Sequence, residues 1–329
     1  MSLPISTRAW ILKKKPEGKL DLDSTFALET RPLPELSDGQ ILRTWIFHDL
    51  VPDRCYVPFP EEGNPMPTIF LGEVVASKSA HFSTGSLVTG FGAWSEYIVL
   101  PEEAVQPAYY PKGYPSSLSL SALGLTSMTA WVGLHKIGQI KPEHSIVISG
   151  AAGATGSAAV QIAKKLVGCK RVVGIAGGKE KCDWVKKLGA DECLDYRSST
   201  FAEDLAEATE VTATDNVGGS ILNLMFKRMA RFSRIVACGS IASYDGEPMY
   251  LNNFVEITTM RLTVQGFIVT DHIADYPHIA DELTKAIEDG RFSVEGCEHK
   301  VEAPFEDVPK TWMLLFSGAN KGKLLTQLK

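Results

Sequence analysis

The sequence predicts an α/β protein, with a doubly wound parallel β-sheet covered by helices and a compact β domain beside it. Three observations carry this reading. Up to about residue 115 the chain is rich in Pro, Gly and β-branched residues and nearly lacks helical periodicity. Beyond residue 116, strand and helix signals alternate, the pattern of a parallel sheet covered on both faces. One strand–helix junction also carries the glycine-rich turn Gly150-Ala-Ala-Gly153-Ala-Thr-Gly156.

The bulk numbers set the frame. A chain of 329 residues suggests about two domains, and 44% hydrophobic with 22% charged residues is ordinary for a soluble globular protein. The net charge of −6, from 33 basic and 39 acidic residues, gives no electrostatic reason to bind nucleic acid or an anionic membrane. Cys55, Cys169, Cys182, Cys193, Cys238 and Cys297 are scattered singly, without a CxxC pair. That favours reduced thiols in the cytoplasm over a disulfide framework or a metal site. At the N-terminus a brief apolar patch, residues 9–12, precedes three lysines, the reverse of a signal peptide. The longest small-and-apolar stretch, residues 146–160, is interrupted by Gly and Ser, so no membrane segment is expected.

In chain order, residues 40–47, 69–76, 86–89 and 95–100 read as strands between turns. The five prolines at 52, 58, 60, 65 and 67 make residues 50–67 an ordered loop. Residues 119–138 carry helical spacing in Leu123, Met128, Trp131, Val132 and Leu134. Strands are then expected at 145–149, 171–175, 192–196, 234–238 and 262–264, with helices at 157–167, 180–188, 221–229 and 279–288. The tail returns to strand-like pieces and one amphipathic helix, 308–316.

A strand, a glycine turn and a helix in succession form the fingerprint of a Rossmann dinucleotide site, because the turn lets the backbone approach a pyrophosphate at the positive end of the helix. Here the pattern is Ala151-x-Gly153-x-x-Gly156, with Ala in place of the usual first Gly, and Ala152, Gly153, Ala154, Thr155 and Gly156 are the candidate contacts. The residue that selects the cofactor lies about 20 positions further on, where an NAD site presents a carboxylate. This chain has Ala176-Gly177-Gly178 there, followed by Lys179 and Lys181, which favours NADPH. The lysines also fit a solvated first helical turn.

Several further blocks stand in order: Gly124-Leu-Thr, Thr129-Ala-Trp, Gln161-Ile-Ala-Lys, Glu180-Lys181, Lys187-Leu-Gly189, Asp215-Asn-Val-Gly-Gly219, Cys238-Gly-Ser-Ile-Ala-Ser-Tyr244 and Asn320-Lys-Gly-Lys323. With the glycine turn they make the chain resemble the zinc-independent medium-chain dehydrogenase/reductase superfamily, and within it the alkenal/enone double-bond reductases that include prostaglandin reductases. The resemblance implies a GroES-like β domain over residues 1–122, a Rossmann NADP-binding domain over 123–290 and a return to the β domain over 291–329, with the active site in the cleft between them. It places Gly178, Lys181 and Tyr196 at the adenosine 2′-phosphate end. Asn216, Cys238, Gly239, Ser240, Ile241, Phe267, Ile268, Val269 and Asn320 would line the nicotinamide and ribose side. A homodimer joined through the Rossmann domains, by sheet extension near residues 262–269, is also implied.

Zinc relatives carry Gly-His-Glu where this chain has Leu71-Gly72-Glu73, so no catalytic metal is expected. Something else must then polarise the substrate carbonyl. The resemblance gives that role to the Tyr244 hydroxyl, protonated at neutral pH and able to donate to a developing enolate oxygen. An aromatic packing against the cofactor is the plainer reading of Tyr244. One departure stands out: double-bond reductases have an Asp-Pro-Tyr-Met-Arg segment where this chain reads Leu50-Val-Pro-Asp-Arg-Cys-Tyr56. Divergence is therefore expected on the substrate side. The expected activity is NADPH-dependent reduction of the C=C bond of α,β-unsaturated carbonyl compounds. A quinone or carbonyl reductase and a cofactor-binding sensor are the alternatives. His48, Trp10, Trp45, Trp94 and Trp131 read as structural, and Cys238 as a small buried residue.

Overall fold

The structure, a computed structural model, describes residues 3–16, 20–49, 60–208, 212–215, 217–243, 250–318 and 320–329, without side chains at 45–49, 212–215 and 243. Leu50–Tyr56, Asn216 and Tyr244 lie outside the described residues. The chain divides into two compact units: Met1–Leu120 with His299–Asn320 and Leu324–Lys329, and Ser121–Glu298 with Lys321–Lys323.

The first unit is built from antiparallel strands. β1 (Ser6–Leu12) pairs with β2 (Phe26–Pro32). Its alternate residues Thr7, Ala9 and Ile11 are buried, the period-two pattern of a half-buried strand. Between them the short helix α1 (Leu22–Thr25) is capped by Asp21, whose carboxylate accepts from the Ser24 amide at 3.0 Å. β3 (Gln40–Asp49), β4 (Pro67–Ser77), β5 (Leu87–Ala93), β6 (Tyr97–Pro101) and β7 (Val105–Pro107) form a five-stranded sheet in the order β6-β3-β4-β5-β7. The four strands expected in this part of the chain overlap β3 to β6, with residue 86 and residues 95–96 lying outside the strands. Phe26, Phe70, Trp94 and Phe305 fill the core, where the Trp94 ring meets Phe26 at 5.6 Å and Trp312 at 5.9 Å. Gly72 sits where β3 and β4 approach closely, since a β-carbon there would stand 2.3 Å from the Thr44 carbonyl oxygen.

The second unit holds β8 (Ser145–Ile148), β9 (Arg171–Ala176), β10 (Glu192–Asp195), β11 (Thr212–Asp215), β12 (Arg234–Ala237) and β13 (Thr263–Gly266). All pair in parallel, in the order β10-β9-β8-β11-β12-β13. This is the doubly wound order, whose direction of winding reverses between β8 and β11. The covering helices are α2 (Leu125–Val132), α3 (Ala154–Gln161), α4 (Lys179–Leu188), α5 (Phe201–Glu207), α6 (Gly219–Phe226), α7 (Val255–Thr259) and α8 (Tyr276–Glu288). Val147, Val173, Ile175, Leu194 and Ile235 of the sheet pack with Leu222 and Phe226 of α6 in one core.

The helix expected over 119–138 is a short 3₁₀ turn at Ser116–Ser119, then α2, then a π-helical turn at Gly133–Ile137. At the tail, β14 (Glu298–Ala303) pairs with β15 (Lys323–Leu328), and α9 (Val308–Met313) is shorter than the expected 308–316. Among the described residues no helix is long and apolar enough to cross a membrane.

Candidate functional site

The glycine turn occupies the carboxyl end of β8, where a doubly wound sheet binds its ligand. Gly150 takes a left-handed φ of +59°, Ala151 donates its amide to the Ile175 carbonyl at 2.9 Å, and Gly153 donates to Gly150 at 2.9 Å. Helix α3 then begins, with no side chain capping it at Gly153. The positive end of its dipole faces out of the turn, an arrangement suited to an anion. Gly156 is needed for close packing, because a β-carbon there would lie 2.2 Å from the Gly150 oxygen and 2.7 Å from the Ala151 Cα.

Ala151, which stands for the usual first glycine, is fully buried. Its methyl group is accommodated by Gly174 on β9, where a β-carbon would come within 3.0 Å of it and 2.6 Å of Val185. The tail strand also crosses the turn: Gly322 donates to the Ala152 carbonyl at 2.9 Å and bridges to Gly153. Asn320, half-buried, lies just before that crossing.

At the end of β9, Gly177 lies under the Tyr196 ring, with no room for a β-carbon (2.7 Å to the hydroxyl oxygen). Gly178 follows with φ +91° and caps α4. Lys181, half-buried, has its ammonium pKa pushed below the usual lysine range, first by burial and then by the positive charge of Arg197. Lys179 is instead exposed and paired with Asp183 at 2.6 Å across one helical turn. Gly178, Lys181 and Tyr196 thus gather around one loop.

Sequence reasoning missed two neighbours. Asp195 ends β10, and its Oδ1 accepts from the Gly178 amide at 2.8 Å and the Arg197 amide at 2.9 Å. These backbone bonds hold its carboxyl below the ordinary range. Arg197 is exposed, with its guanidinium beside Gly178.

The remaining candidates lie at the carboxyl ends of β12 and β13. Cys238 and Phe267 converge on Gly133, where a β-carbon would stand 3.4 Å from the Cys238 sulfur and 3.3 Å from the Phe267 ring. Cys238 is half-buried rather than buried as expected. Gly239 and Ser240 are half-buried and Ile241 and Ile268 exposed, whereas Val269 is buried. Ala242 donates to the Val217 carbonyl at 2.9 Å, and Val217 lies 3.4 Å from the β-carbon position of Gly150, so the loops after β8, β11 and β12 meet. Among the described residues no three His, Cys, Asp or Glu side chains gather as a metal cluster.

Comparison with known proteins agrees with this architecture. Residues 8–108 match the family described as "N-terminal domain of oxidoreductase", and residues 154–285 match the family described as "Zinc-binding dehydrogenase". The chain is 34% identical to prostaglandin reductase 1 of Bos taurus, covering 98% of this chain and 99% of that one. It is 31% identical to the NADPH-dependent curcumin reductase of Escherichia coli (strain K12), covering 98% and 96%. Among solved structures it is similar to CurA from Vibrio vulnificus in complex with NADPH, with TM-score 0.88, 29% identity and coverage of 98% and 99%. The chain belongs to the medium-chain dehydrogenase/reductase family of oxidoreductases, in the branch that holds prostaglandin reductase 1.

Proposed function

We propose that this protein is an NADPH-dependent reductase that adds hydride to the activated C=C bond of α,β-unsaturated ketones and aldehydes, without a metal. The observation that carries the reading is the loop after β9. Gly177 and Gly178 put no carboxylate at its tip, and Lys181 and Tyr196 stand around it. The uncapped start of α3 suits the pyrophosphate. Likeness to an NADPH-dependent curcumin reductase supports the cofactor, and the conjugated enone character of curcumin supports the substrate class.

When bound, NADPH supplies the hydride. Cys238 and Phe267, packed together at Gly133, are proposed to flank the nicotinamide side, with Gly239, Ser240, Ile241, Ile268, Val269, Asn216 and Asn320. Tyr244 is proposed as the O–H donor to the substrate carbonyl oxygen, where negative charge develops as the C=C bond is reduced. In place of a zinc ligand, Leu71-Gly72-Glu73 lies in β4 with Glu73 turned to solvent, which supports metal-free polarisation. The exposed edge strand β13 supports a homodimer, and the five cysteines among the described residues, all free thiols, fit a reducing, cytoplasmic setting.

The test is to follow NADPH oxidation with a panel of enones, enals and quinones and to identify the products. A saturated ketone from an enone is the expected result. An allylic alcohol would assign a carbonyl reductase, turnover of quinones alone a quinone reductase, and tight NADPH binding without turnover a cofactor-binding protein.

A further inference from the structure

We propose that Arg197 is a second cation of the adenosine 2′-phosphate pocket and that Asp195 is the positioning residue that sets it there. The inference rests on the NADPH reading above and concerns how that selectivity is built.

A single carboxylate oxygen clamps two loops. Asp195 Oδ1 accepts from Gly178, on the loop after β9, and from Arg197, on the turn after β10. The same turn is closed by Ser198 donating to the Asp195 carbonyl at 2.9 Å and tied to β9 by Tyr196 donating to the Ala176 carbonyl at 3.1 Å. The turn is therefore fixed in direction. Its Tyr196 ring lies against Gly177, and Arg197 Nη1 lies 3.9 Å from the β-carbon position of Gly178.

That places a guanidinium at the loop where an NAD site presents its acid. Lys181 stands on the first turn of α4, close enough for the Arg197 charge to disfavour its protonated form. Two like charges held around one loop repel, and an anion between them converts the repulsion into two attractions. A phosphate monoester carries close to two negative charges and several acceptor oxygens, which a guanidinium fork and an ammonium can share. Asp195 does not compete for the cations on equal terms, because its Oδ1 is committed to two amides. Arg197 is also exposed, so a nucleotide can reach it.

The test titrates adenosine 2′,5′-bisphosphate and adenosine 5′-monophosphate calorimetrically into the whole protein. The forms compared are wild type, Arg197→Ala, Arg197→Lys, Asp195→Ala and the double alanine variant. Wild type is expected to prefer the bisphosphate. Arg197→Ala should weaken the bisphosphate about tenfold or more while leaving the monophosphate nearly unchanged, with Arg197→Lys between. Asp195→Ala should reproduce the selective loss, and the double variant should add little to either single change. Should Asp195→Ala fail to fold, Arg197→Ala carries the test alone, because its side chain is on the surface. Full retention of the preference in Arg197→Ala, or equal loss of both nucleotides, overturns the inference and leaves the NADPH reading standing. Absence of any preference in wild type overturns both.

Discussion

Gly156 lies so close beneath Gly150 that a β-carbon on it would stand 2.2 Å from the Gly150 carbonyl oxygen. Both partners are backbone, so neither can swing aside. Gly156→Ala must therefore move the start of α3 or the turn itself, and overpacking of this kind costs about 1–3 kcal/mol. The variant is expected to melt several degrees lower and to lose NADPH affinity about tenfold or more, as read by calorimetry. Gly153→Ala meets its nearest neighbour at 3.3 Å and should be milder. Wild-type affinity in Gly156→Ala would show that the turn does not hold the cofactor.

Lys181→Ala is expected to weaken NADPH far more than NADH. A hydrogen bond to a charged group contributes about 1.5–3 kcal/mol, a loss of roughly 10- to 100-fold for NADPH alone. Lys179→Ala should change little, because Lys179 is bound in an exposed pair with Asp183. Dissociation constants from nucleotide fluorescence decide this, and equal losses for the two cofactors would remove Lys181 from the phosphate site.

The sequence made these two lysines visible and hid their neighbours for a physical reason. Lys181 follows from distance along the chain after a local strand–turn–helix signal, and Tyr196 from the family resemblance alone. Asp195 and Arg197 follow only from the register of β10 on β9, which sets Asp195 opposite Ala176. Gly174 likewise answers Ala151 only across neighbouring chain segments. The parallel sheet is legible because β8, β9 and β12 are short β-branched runs. β11 is not: Thr-Ala-Thr-Asp has no large apolar residue, and its pairing with β8 and β12 makes it a strand. In the sequence β1 shows only as a brief apolar patch, because Trp10 interrupts the alternation of Thr7, Ala9 and Ile11.

His135 is expected to make the second unit sensitive to acid. Its ring stacks on Trp131 at 4.3 Å, and its Nδ1 donates to the Trp131 carbonyl at 3.1 Å. Burial pushes its pKa below the ordinary histidine value, more than that hydrogen bond and the nearby Glu282 raise it. With the folded-state pKa depressed, the unfolded chain binds more protons below about pH 6.5. The stabilisation is present above that pH and is lost as pH falls through the folded value. His135→Gln should melt lower at pH 7, through lost stacking, yet lose less Tm than wild type on acidification to pH 5. Parallel melting curves for the two proteins would assign the acid response to other groups.

β13 is the last strand of its sheet and, among the described residues, pairs with β12 alone, leaving its other edge open. All four of its residues are exposed, and Phe232, Tyr250 and Phe254 are exposed in the same unit. An open edge favours pairing with another strand, and a second copy turned by a two-fold axis offers the same edge in antiparallel register. The protein is therefore expected to be a dimer by light scattering at micromolar concentration. A lysine on an edge strand opposes such pairing, so Val264→Lys should give a monomer with an unchanged far-ultraviolet circular dichroism spectrum. Phe267, Ile268 and Val269 follow β13 directly, so the monomer should also bind NADPH more weakly as that loop loses its support. A wild-type monomer, or a Val264→Lys dimer, would place the interface elsewhere or nowhere.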